Sequence, residues 1–519
     1  MGVVASTEPD STVPPDPPLR LITTPTHPVL GPVTTAEELA EAVRRLQAGT
    51  GPVAVDAERA SGYRYSQRAY LIQLARVGSG NILIDPIPFN TDSLKTSPTD
   101  AEPTDTEPTT TEPTTTGALT AGAARGGDAP GNDVPGALAA LQDAIGGVEW
   151  VLHAASQDLP GLREIGLEPA SVFDTETAGR LLGLERVSLN SMLERFLGVS
   201  LEKGHSAADW SQRPLPSEWL VYAALDVDLL VDLRDVVEAE LIRAGKLAWA
   251  QQEWAATLAA PPAGPRSEPW RRTSGIHAVR SRRQLAGVQA LWEARDEIAR
   301  ARDIAPGRIL PDAAIIAAVR ADPESVDALA HLPVFRGPRQ RQHAGRWFAA
   351  LDEARTRPDA ELPATALGSR DGMPASGRWR ERDPEAAVRL LAVREAVNVV
   401  AEQHHVQAQN LLAADVIRRL CWTPPVPGDP DTVAAALTHL GARPWQVELC
   451  AEPISAALAT APAGALAAPS APLDTPAPAR PAVPPDTPAP PRPAVPPAPG
   501  GMASPPPPMP PRPDVTEAG

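Results

Sequence analysis

Cysteine, lysine and aromatic residues are all scarce in this chain of 519 residues. Its two cysteines, Cys421 and Cys450, provide neither a disulfide framework nor zinc-ligand spacing, and they fit a reducing compartment, so we expect a cytoplasmic protein. The three lysines, beside abundant Ala, Arg and Pro, are typical of a GC-rich bacterial genome. The sequence also has no apolar run long enough to span a membrane, and we therefore expect no membrane partner.

An excess of positive charge is missing as well. The formal net charge of −17 argues against a protein that simply coats nucleic acid. One stretch is nevertheless basic: residues 266–283, "RSEPWRRTSGIHAVRSRR", carry six arginines against Glu268 alone. Such a patch can hold phosphates. The alternative is an Arg-rich linker without a ligand.

Three segments have the composition of disordered chain. Residues 1–27 are proline-rich and polar, without hydrophobic periodicity, and we predict a disordered leader. Residues 96–136 repeat a Thr-Glu-Pro-Thr theme and have too little apolar content for a core, which predicts a low-complexity insertion within a domain. Residues 461–519 are rich in Pro and Ala, and polyproline II character is expected in this disordered tail.

The segment from 28 to 250 alternates strand and helix patterns. An amphipathic helix with a Thr cap is predicted at 34–46, and strands at 53–58, 70–76 and 81–87 are joined by short links such as "VGSG". Beyond the insertion follow a helix, a buried strand at 148–155, a short strand at 171–174 and helices that include a long one at 217–245. A meander followed by alternating helices and strands predicts an α/β domain with a mixed sheet.

The rest of the ordered sequence is helical. Residues 276–353 predict one independent helical unit and residues 384–455 a second, with a linker at 356–378 between them. Each unit has an Arg-bearing first helix, a loop, and then the segment "ILPDAAI" or "NLLAADVI". This order suggests an internal repeat.

The strand "VAVDAERA" (53–60) ends in two acids, Asp56 and Glu58. Side chains two residues apart in a strand point to the same face, and like charges that close repel each other unless a cation lies between them. The pattern therefore indicates a cation site. The alternative is that the strand simply ends in water.

Two further segments carry candidate groups. A buried strand in "VLHAASQDL" (151–159) leads to His153 and to Asp158 at a helix start. The alternatives are a core or hydrogen-bonded histidine and an ordinary capping aspartate. In "VYAALDVDLLVDL" (221–233), Tyr222 and Asp226 share a helix face, with Asp228 roughly opposite and Asp232 further along. A core tyrosine and a solvated Asp226 are the alternatives there. Taken together, four acids and a tyrosine suit hard divalent ions, a pair of which can clamp a reacting phosphodiester.

These segments resemble a known family. In order, "VDAER", "LHAASQDL" and "YAALDV" are similar to the three exonuclease motifs of the DEDD superfamily of 3′–5′ exonucleases, in its tyrosine-bearing subclass. The segment "EKGHSAADWSQRPL" (202–215) resembles ribonuclease D, and the helical units resemble the HRDC nucleic-acid-binding domain, the second more faintly. The resemblance covers about residues 30–455 and implies a ribonuclease-H-like α/β exonuclease domain followed by one or two all-α HRDC-type domains.

The same resemblance implies roles for individual residues. Asp56, Glu58, Asp158 and Asp226 would hold two divalent metal ions, Mg²⁺ or Mn²⁺, and Tyr222 would orient the attacking water or help to deprotonate it. Lys203, Trp210 and Arg213 would contact the substrate. Structural packing of Trp210 and a salt bridge of Arg213 are equally compatible with the sequence.

The function expected on this basis is metal-dependent 3′–5′ exoribonuclease activity. It would release nucleoside monophosphates from RNA 3′ ends, with tRNA as the expected substrate. The alternatives are a DNA 3′–5′ exonuclease and a non-catalytic RNA-binding scaffold. The family does not explain the insertion or the tail, whose protein partner the sequence does not identify.

Overall fold

The structure of the chain, a computed structural model, describes residues 19–89, 138–202, 204, 207–262, 264, 266–365 and 373–460. The predicted insertion at 96–136, the tail at 461–519, and Lys203 lie outside the described residues. Among the helices of the described part, none has the length and apolar composition needed to cross a membrane.

The strands of the described residues form a mixed six-stranded sheet and a small parallel pair. They are β1 (Arg20–Ile22), β2 (Val29–Val33), β3 (Thr50–Arg59), β4 (Ala69–Val77), β5 (Gly80–Ile84), β6 (Glu149–Leu152), β7 (Ser171–Asp174) and β8 (Val199–Leu201). The larger sheet has the order β2-β5-β4-β3-β6-β7. Strand β3 is antiparallel to β4 and parallel to β6, and the pair of β1 and β8 is parallel. The predicted α/β class with a mixed sheet is confirmed.

Helices cover both faces of the six-stranded sheet. They are α1 (Ala36–Ala48), α2 (Ala139–Ile145), α3 (Leu159–Glu164), α4 (Thr175–Leu181), α5 (Leu189–Leu197), α6 (Ser217–Asp228), α7 (Leu230–Arg243) and α8 (Leu247–Ala259). Thr35 and Glu38 form a capping box that starts α1, as the Thr cap in the sequence predicts. Two of the four backbone N–H groups exposed at this helix end are thereby satisfied.

The residues of β3 divide between two cores because strand side chains alternate. Val53, Val55 and Ala57 pack into the core that contains α1. Ala54 instead packs into the core that contains Leu225 of α6. The strand face that includes Ala54, Asp56 and Glu58 is therefore the face toward α6.

The end of the predicted leader is ordered, so the 1–27 prediction is wrong from residue 19 onward. Arg20–Ile22 pair with Val199–Leu201. The buried carboxylate of Asp228 accepts hydrogen bonds from the backbone N–H of Thr26 at 2.8 Å and of His27 at 3.1 Å. The sequence gives no local sign of this because the partners are about 200 positions apart. Residues 1–18 lie outside the described part.

The helix predicted at 217–245 is two helices. It breaks at Leu229, whose backbone has φ −117° and ψ 10°, between α6 and α7. The preceding residue is the same Asp228, whose carboxylate also accepts a hydrogen bond from the Asn81 side chain at 2.7 Å. The helix is interrupted next to the residue whose buried carboxylate is anchored in this way.

Two helical units follow the sheet domain. The first contains α9 (Arg282–Arg302), α10 (Pro306–Ile309), α11 (Asp312–Ala321), α12 (Val326–His331), α13 (Pro338–Gln342) and α14 (Ala344–Thr356). The second contains α15 (Trp379–Arg382), α16 (Pro384–Gln403), α17 (Ala408–Leu411), α18 (Ala414–Trp422), α19 (Pro430–His439) and α20 (Pro444–Thr460). Helix starts in the second unit follow their counterparts by about 102 positions (Arg282 and Pro384, Pro306 and Ala408, Asp312 and Ala414), as expected for an internal repeat.

The first part of the predicted linker belongs to the first helical unit. Leu362 is buried and packs against Ala286 and Ala290 of α9. The guanidinium of Arg282 donates to the carbonyl oxygens of Leu362 at 2.5 Å and Pro363 at 3.2 Å. These contacts are non-local, which is why the linker-like composition of 356–378 did not indicate them.

Candidate metal centre and active site

The centre is built on the C-terminal end of β3, whose last residues are buried or half-buried. The backbone of β3 continues through Asp56 and Glu58 as a strand, opposite Gln73 and Leu71 of β4. Both acidic side chains lie on the face toward α6, since they are two residues apart and follow Ala54. The strand therefore does not end in water at Asp56, and this alternative to the cation site is wrong.

Helix α6 brings the third motif onto this face. Carboxylate oxygens of Asp56, Glu58 and Asp226 all lie within 4.8 Å of one another. The Tyr222 hydroxyl, one helical turn before Asp226, is hydrogen-bonded to the Asp226 carboxylate. Burial, followed by the charges of Asp226, Glu58 and Asp56, raises the pKa of Tyr222, so its hydroxyl is protonated in the metal-free protein. Asp226 is therefore not simply a solvated charge. The Tyr222 ring packs against a core cluster that contains Trp210, as the core alternative expects, while its hydroxyl is directed at Asp226.

Asp158 is near enough to Asp56 and Glu58 for their charges to interact, although it is not one of the three acids within 4.8 Å of one another. It lies at the start of α3, yet its side chain makes no capping hydrogen bond, and it is 6% exposed. Burial, followed by the charge of Asp56, raises its pKa, and its own charge contributes to raising the pKa of Glu58. The capping alternative is therefore wrong, and the carboxylate is available to a ligand.

The four carboxylates are electrostatically unfavourable without a cation. Burial raises the pKa of Asp56 to about 6, and burial raises the pKa of Asp226 well above its ordinary value. The positive charge that counters this shift at Asp56 is that of Arg59. Oxygen-only ligands with uncompensated negative charge are the donor set that Mg²⁺ and Mn²⁺ prefer. The residues present thus fit a divalent metal site.

Family models match the chain in the order of these domains. Residues 31–101 and 121–242 match the model described as 3′-5′ exonuclease, residues 284–351 the HRDC domain, and residues 372–458 the model described as 3′ to 5′ exonuclease C-terminal domain. The ribonuclease D of Acidiphilium cryptum is 33% identical over 279 residues, which are 52% of this chain and 67% of that relative. The chain belongs to the ribonuclease D family. The predicted resemblance and the 3′–5′ exonuclease class are confirmed.

Solved structures agree with the ribonuclease D assignment. A protein from Bifidobacterium adolescentis is 34% identical, with a TM-score of 0.70, and covers 85% of this chain and 100% of its own. Escherichia coli RNase D, described as an exoribonuclease involved in structured RNA processing, is 25% identical with a TM-score of 0.53, covering 80% and 98%. The chain spans about two thirds of the length of curated ribonuclease D relatives.

The two helical units match different family models. The HRDC model covers the first unit, predicted at 276–353. The second unit, predicted as HRDC-like at 384–455, matches the exonuclease C-terminal domain instead. The common helix spacing of the two units is compatible with either description, and the HRDC-like assignment of the second stays a prediction.

Asp174 is a positioning residue that sequence reasoning missed. Its buried carboxylate accepts hydrogen bonds from the backbone N–H of Ala154 at 2.9 Å and Ala155 at 3.3 Å. Ala154 has φ 66°, a conformation that non-glycine residues rarely adopt. The same carboxylate caps α4 through the N–H of Glu176 at 2.9 Å. Asp174 thereby holds the turn that leads to Asp158. The signal in the sequence was an aspartate at the end of a short strand.

Gln73 is a second residue missed from sequence. It is fully buried, and its side-chain Nε2 lies 3.4 Å from Oε1 of Glu58. A single polar residue inside the apolar strand "YLIQLA" was the available signal. His153, by contrast, is hydrogen-bonded through Nδ1 to Thr175 Oγ1 at 2.9 Å, and burial lowers its pKa. This contact supports the hydrogen-bonded alternative for His153.

The residues predicted to contact substrate have structural contacts. Trp210 is completely buried, and its ring centroid lies 5.3 Å from that of Trp219 and 6.5 Å from that of Tyr222. The Arg213 guanidinium binds both carboxylate oxygens of Asp85, at 2.5 and 2.8 Å. These contacts favour packing for Trp210 and a salt bridge for Arg213, the alternatives considered from sequence. Lys203 lies outside the described residues.

Half of the arginines in the basic stretch 266–283 are occupied within the protein. Arg271 stacks on Trp270 at 4.3 Å, and Arg282 and Arg283 donate to backbone carbonyls of residues 354–363. For these three, the predicted phosphate contact is replaced by a structural role. Three further arginines of the stretch are exposed, and for them phosphate contact stays a prediction: Arg266, Arg272 and Arg280.

The HRDC domain is attached to the loop that leaves the metal-binding strand. Residues 60–68 connect β3 to β4. Within this loop the Ser66 N–H donates to Asp303 Oδ1 at 2.8 Å, and the Tyr65 hydroxyl to Asp296 at 3.1 Å. The Ala305 N–H donates to the carbonyl oxygen of Tyr63 at 2.9 Å. The orientation of the HRDC domain is thus fixed within a few residues of Glu58.

Proposed function

We propose that this ribonuclease D family member is a metal-dependent 3′–5′ exoribonuclease that processes structured RNA, with tRNA 3′ ends as the substrate. The observation that carries the proposal is the cluster of Asp56, Glu58 and Asp226 carboxylates within 4.8 Å, with Asp158 beside them. RNA is favoured by the ribonuclease D relatives and by the structured-RNA processing ascribed to the Escherichia coli protein.

The protein residues supply positioning and charge. Asp56, Glu58, Asp158 and Asp226 would hold two Mg²⁺ or Mn²⁺ ions. Metal ions there would lower the pKa of water and stabilise the charge that develops on the phosphate. The Tyr222 hydroxyl, held by Asp226, would orient the attacking water rather than remove its proton. Hydrolysis of the terminal phosphodiester releases a nucleoside monophosphate and leaves an RNA shorter by one nucleotide.

The first test uses the purified full chain and a tRNA with a short 3′ extension. Stepwise shortening with release of mononucleotides should require Mg²⁺ or Mn²⁺, stop in EDTA, and be lost in Asp56→Asn. Asp232→Asn is the matched control, because Asp232 is an exposed carboxylate on α7 that is not part of the cluster. Tight RNA binding without any shortening would favour a non-catalytic scaffold instead.

Substrate type is tested by parallel assays. An unstructured RNA and a DNA of the same sequence, each with a free 3′ hydroxyl, are compared with the extended tRNA. Faster degradation of the DNA would overturn the RNA assignment, and equal rates on all RNAs would remove the tRNA assignment. A cytoplasmic location is also part of the proposal, supported by the two cysteines, which are free and form no disulfide with each other.

A further inference from the structure

A cavity of about 550 Å³ lies between the exonuclease domain and the second helical unit. Its walls come from α5, the end of α7, the start of α8 and the end of α16, and they include Arg195, Arg243, Lys246, Trp249, His404 and His405. The volume is within the range of small-ligand sites in proteins. None of the four acids or Tyr222 of the metal centre lines it.

The cavity is basic on an acidic chain. Arg195, Arg243 and Lys246 line it, against Glu240 as the acidic group, whereas the whole chain has a net charge of −17. Arg243 forms an ion pair with Glu240 and is otherwise largely exposed. Arg195 is exposed and has no ion-pair partner among the described residues. The two guanidiniums are therefore accessible donors for an anion.

The floor of the cavity is held by contacts that cross the domain junction. Lys246 Nζ donates to the carbonyl oxygens of Leu181 at 2.7 Å and His405 at 3.2 Å. The Trp249 ring stacks on Trp445 at 4.7 Å and meets the edge of His404 at 5.7 Å. Because these groups are fixed before a ligand arrives, the floor loses little conformational entropy on binding, and the cost of ordering falls on the exposed side chains of Arg195 and Arg243.

We infer that this junction cavity binds the phosphate of a ribonucleotide through Arg195 and Arg243, with His404 at its wall. The nucleotide is either a free nucleoside monophosphate or a unit of a bound RNA strand, since both present the same phosphate chemistry. Such a site goes beyond the proposed function, because it assigns ligand binding to a surface outside the metal centre. Occupancy would also connect the exonuclease domain with the second helical unit, as residues of both line the cavity.

Calorimetric titration of the full chain with AMP tests the free-nucleotide form. EDTA is present, so that the metal centre does not contribute nucleotide binding, and inorganic phosphate is titrated in parallel. The double variant Arg195→Gln/Arg243→Gln should bind AMP at least ~10-fold more weakly, as expected when two charge-assisted contacts are lost. Arg394→Gln is the matched control, since Arg394 is an exposed arginine on α16 that does not line the cavity.

Fluorescence anisotropy with a single-stranded RNA in EDTA tests the strand form. Loss of the contact with this one phosphate should reduce the slope of log affinity against log salt by about 0.7. A change with AMP alone identifies a free nucleotide as the ligand, and a change with RNA alone identifies the strand. Unchanged binding of both, in a double variant with the same melting temperature as wild type, would overturn the inference.

The nuclease assay keeps this outcome separate from the proposed function. The double variant leaves the four acids and Tyr222 intact, so at saturating concentrations of a short RNA it should release mononucleotides in Mg²⁺ with the kcat of the wild type. If neither the wild type nor the double variant releases mononucleotides, the exonuclease proposal is contradicted, and the inference about the cavity is not affected.

Discussion

Replacing Asp56 by Asn should stabilise the metal-free protein and greatly reduce its stabilisation by Mn²⁺. Burial raises the pKa of Asp56 to about 6 from its ordinary 3.8. This difference corresponds to at most about 3 kcal/mol of destabilisation at neutral pH in the absence of metal. Asparagine has a similar size and carries no charge, so the variant avoids this destabilisation.

The pH dependence follows from the sign of the shift. Because the pKa is raised on folding, the folded protein holds the Asp56 proton more tightly than the unfolded chain does. The stability due to this group is fully present below about pH 4 and is lost as the pH rises to about 6. In EDTA the variant should therefore unfold at a higher temperature than wild type above pH 6, and the difference should disappear toward pH 4.

Addition of Mn²⁺ should reverse the order of stability, so that the wild type becomes more stable than Asp56→Asn. A ligand at 100 times its dissociation constant stabilises the folded state by about 2.7 kcal/mol. Wild type should gain this stabilisation with Mn²⁺, whereas the variant lacks one carboxylate ligand and should gain much less. Scanning calorimetry in EDTA and in Mn²⁺ measures both effects, with Asp232→Asn as the control. A variant less stable than wild type in EDTA at pH 7, or an equal gain from Mn²⁺ in both, would refute the reasoning.

Three other substitutions test the remaining parts of the site. Tyr222→Phe should lower kcat by at least ~10-fold, because the hydroxyl that orients the attacking water is lost. The variant should keep its stabilisation by Mn²⁺. An unchanged kcat would contradict the role assigned to Tyr222. Asp174→Asn places an amide group opposite the backbone N–H of Ala155. This should destabilise the fold by about 1–3 kcal/mol and weaken Mn²⁺ binding, because Asp158 is displaced. Calorimetry that shows neither change would be contrary evidence. Asp303→Asn weakens the attachment of the HRDC domain to the loop at Ser66. The KM for extended tRNA should therefore rise, while the kcat for a short RNA stays the same. A lower kcat on the short RNA would instead show that the attachment acts on the metal centre.

Three acidic residues of the site, Asp56, Glu58 and Asp226, were predictable because each lies in an element with its own local pattern. Alternation along β3 places Asp56 and Glu58 on one face, and helical spacing places Tyr222 one turn before Asp226. At Asp158 the local pattern did not predict a metal ligand, because an aspartate at a helix start is ordinarily a cap. The absence of a capping hydrogen bond there is a feature of the folded protein.

The errors have one cause. The ordered segment at 19–27, the break of the long helix at Leu229 and the structural role of Arg282 all depend on partners far away in sequence. Asp174 and Gln73 were missed for the same reason, since their importance comes from the groups to which they are hydrogen-bonded. Composition and periodicity describe neighbours within a few residues and contain no record of such pairs.

The sequence by itself determined the α/β class, the existence of the helical units, the four candidate metal ligands with Tyr222, and the resemblance to ribonuclease D. Only the tertiary structure decided which polar side chains are structural and which stay available to ligands. Arg213 is held by Asp85, whereas Arg195 lies exposed at the junction cavity. The physical reason is that the role of a charged group depends on the groups within a few ångströms of it, and only folding brings those groups together.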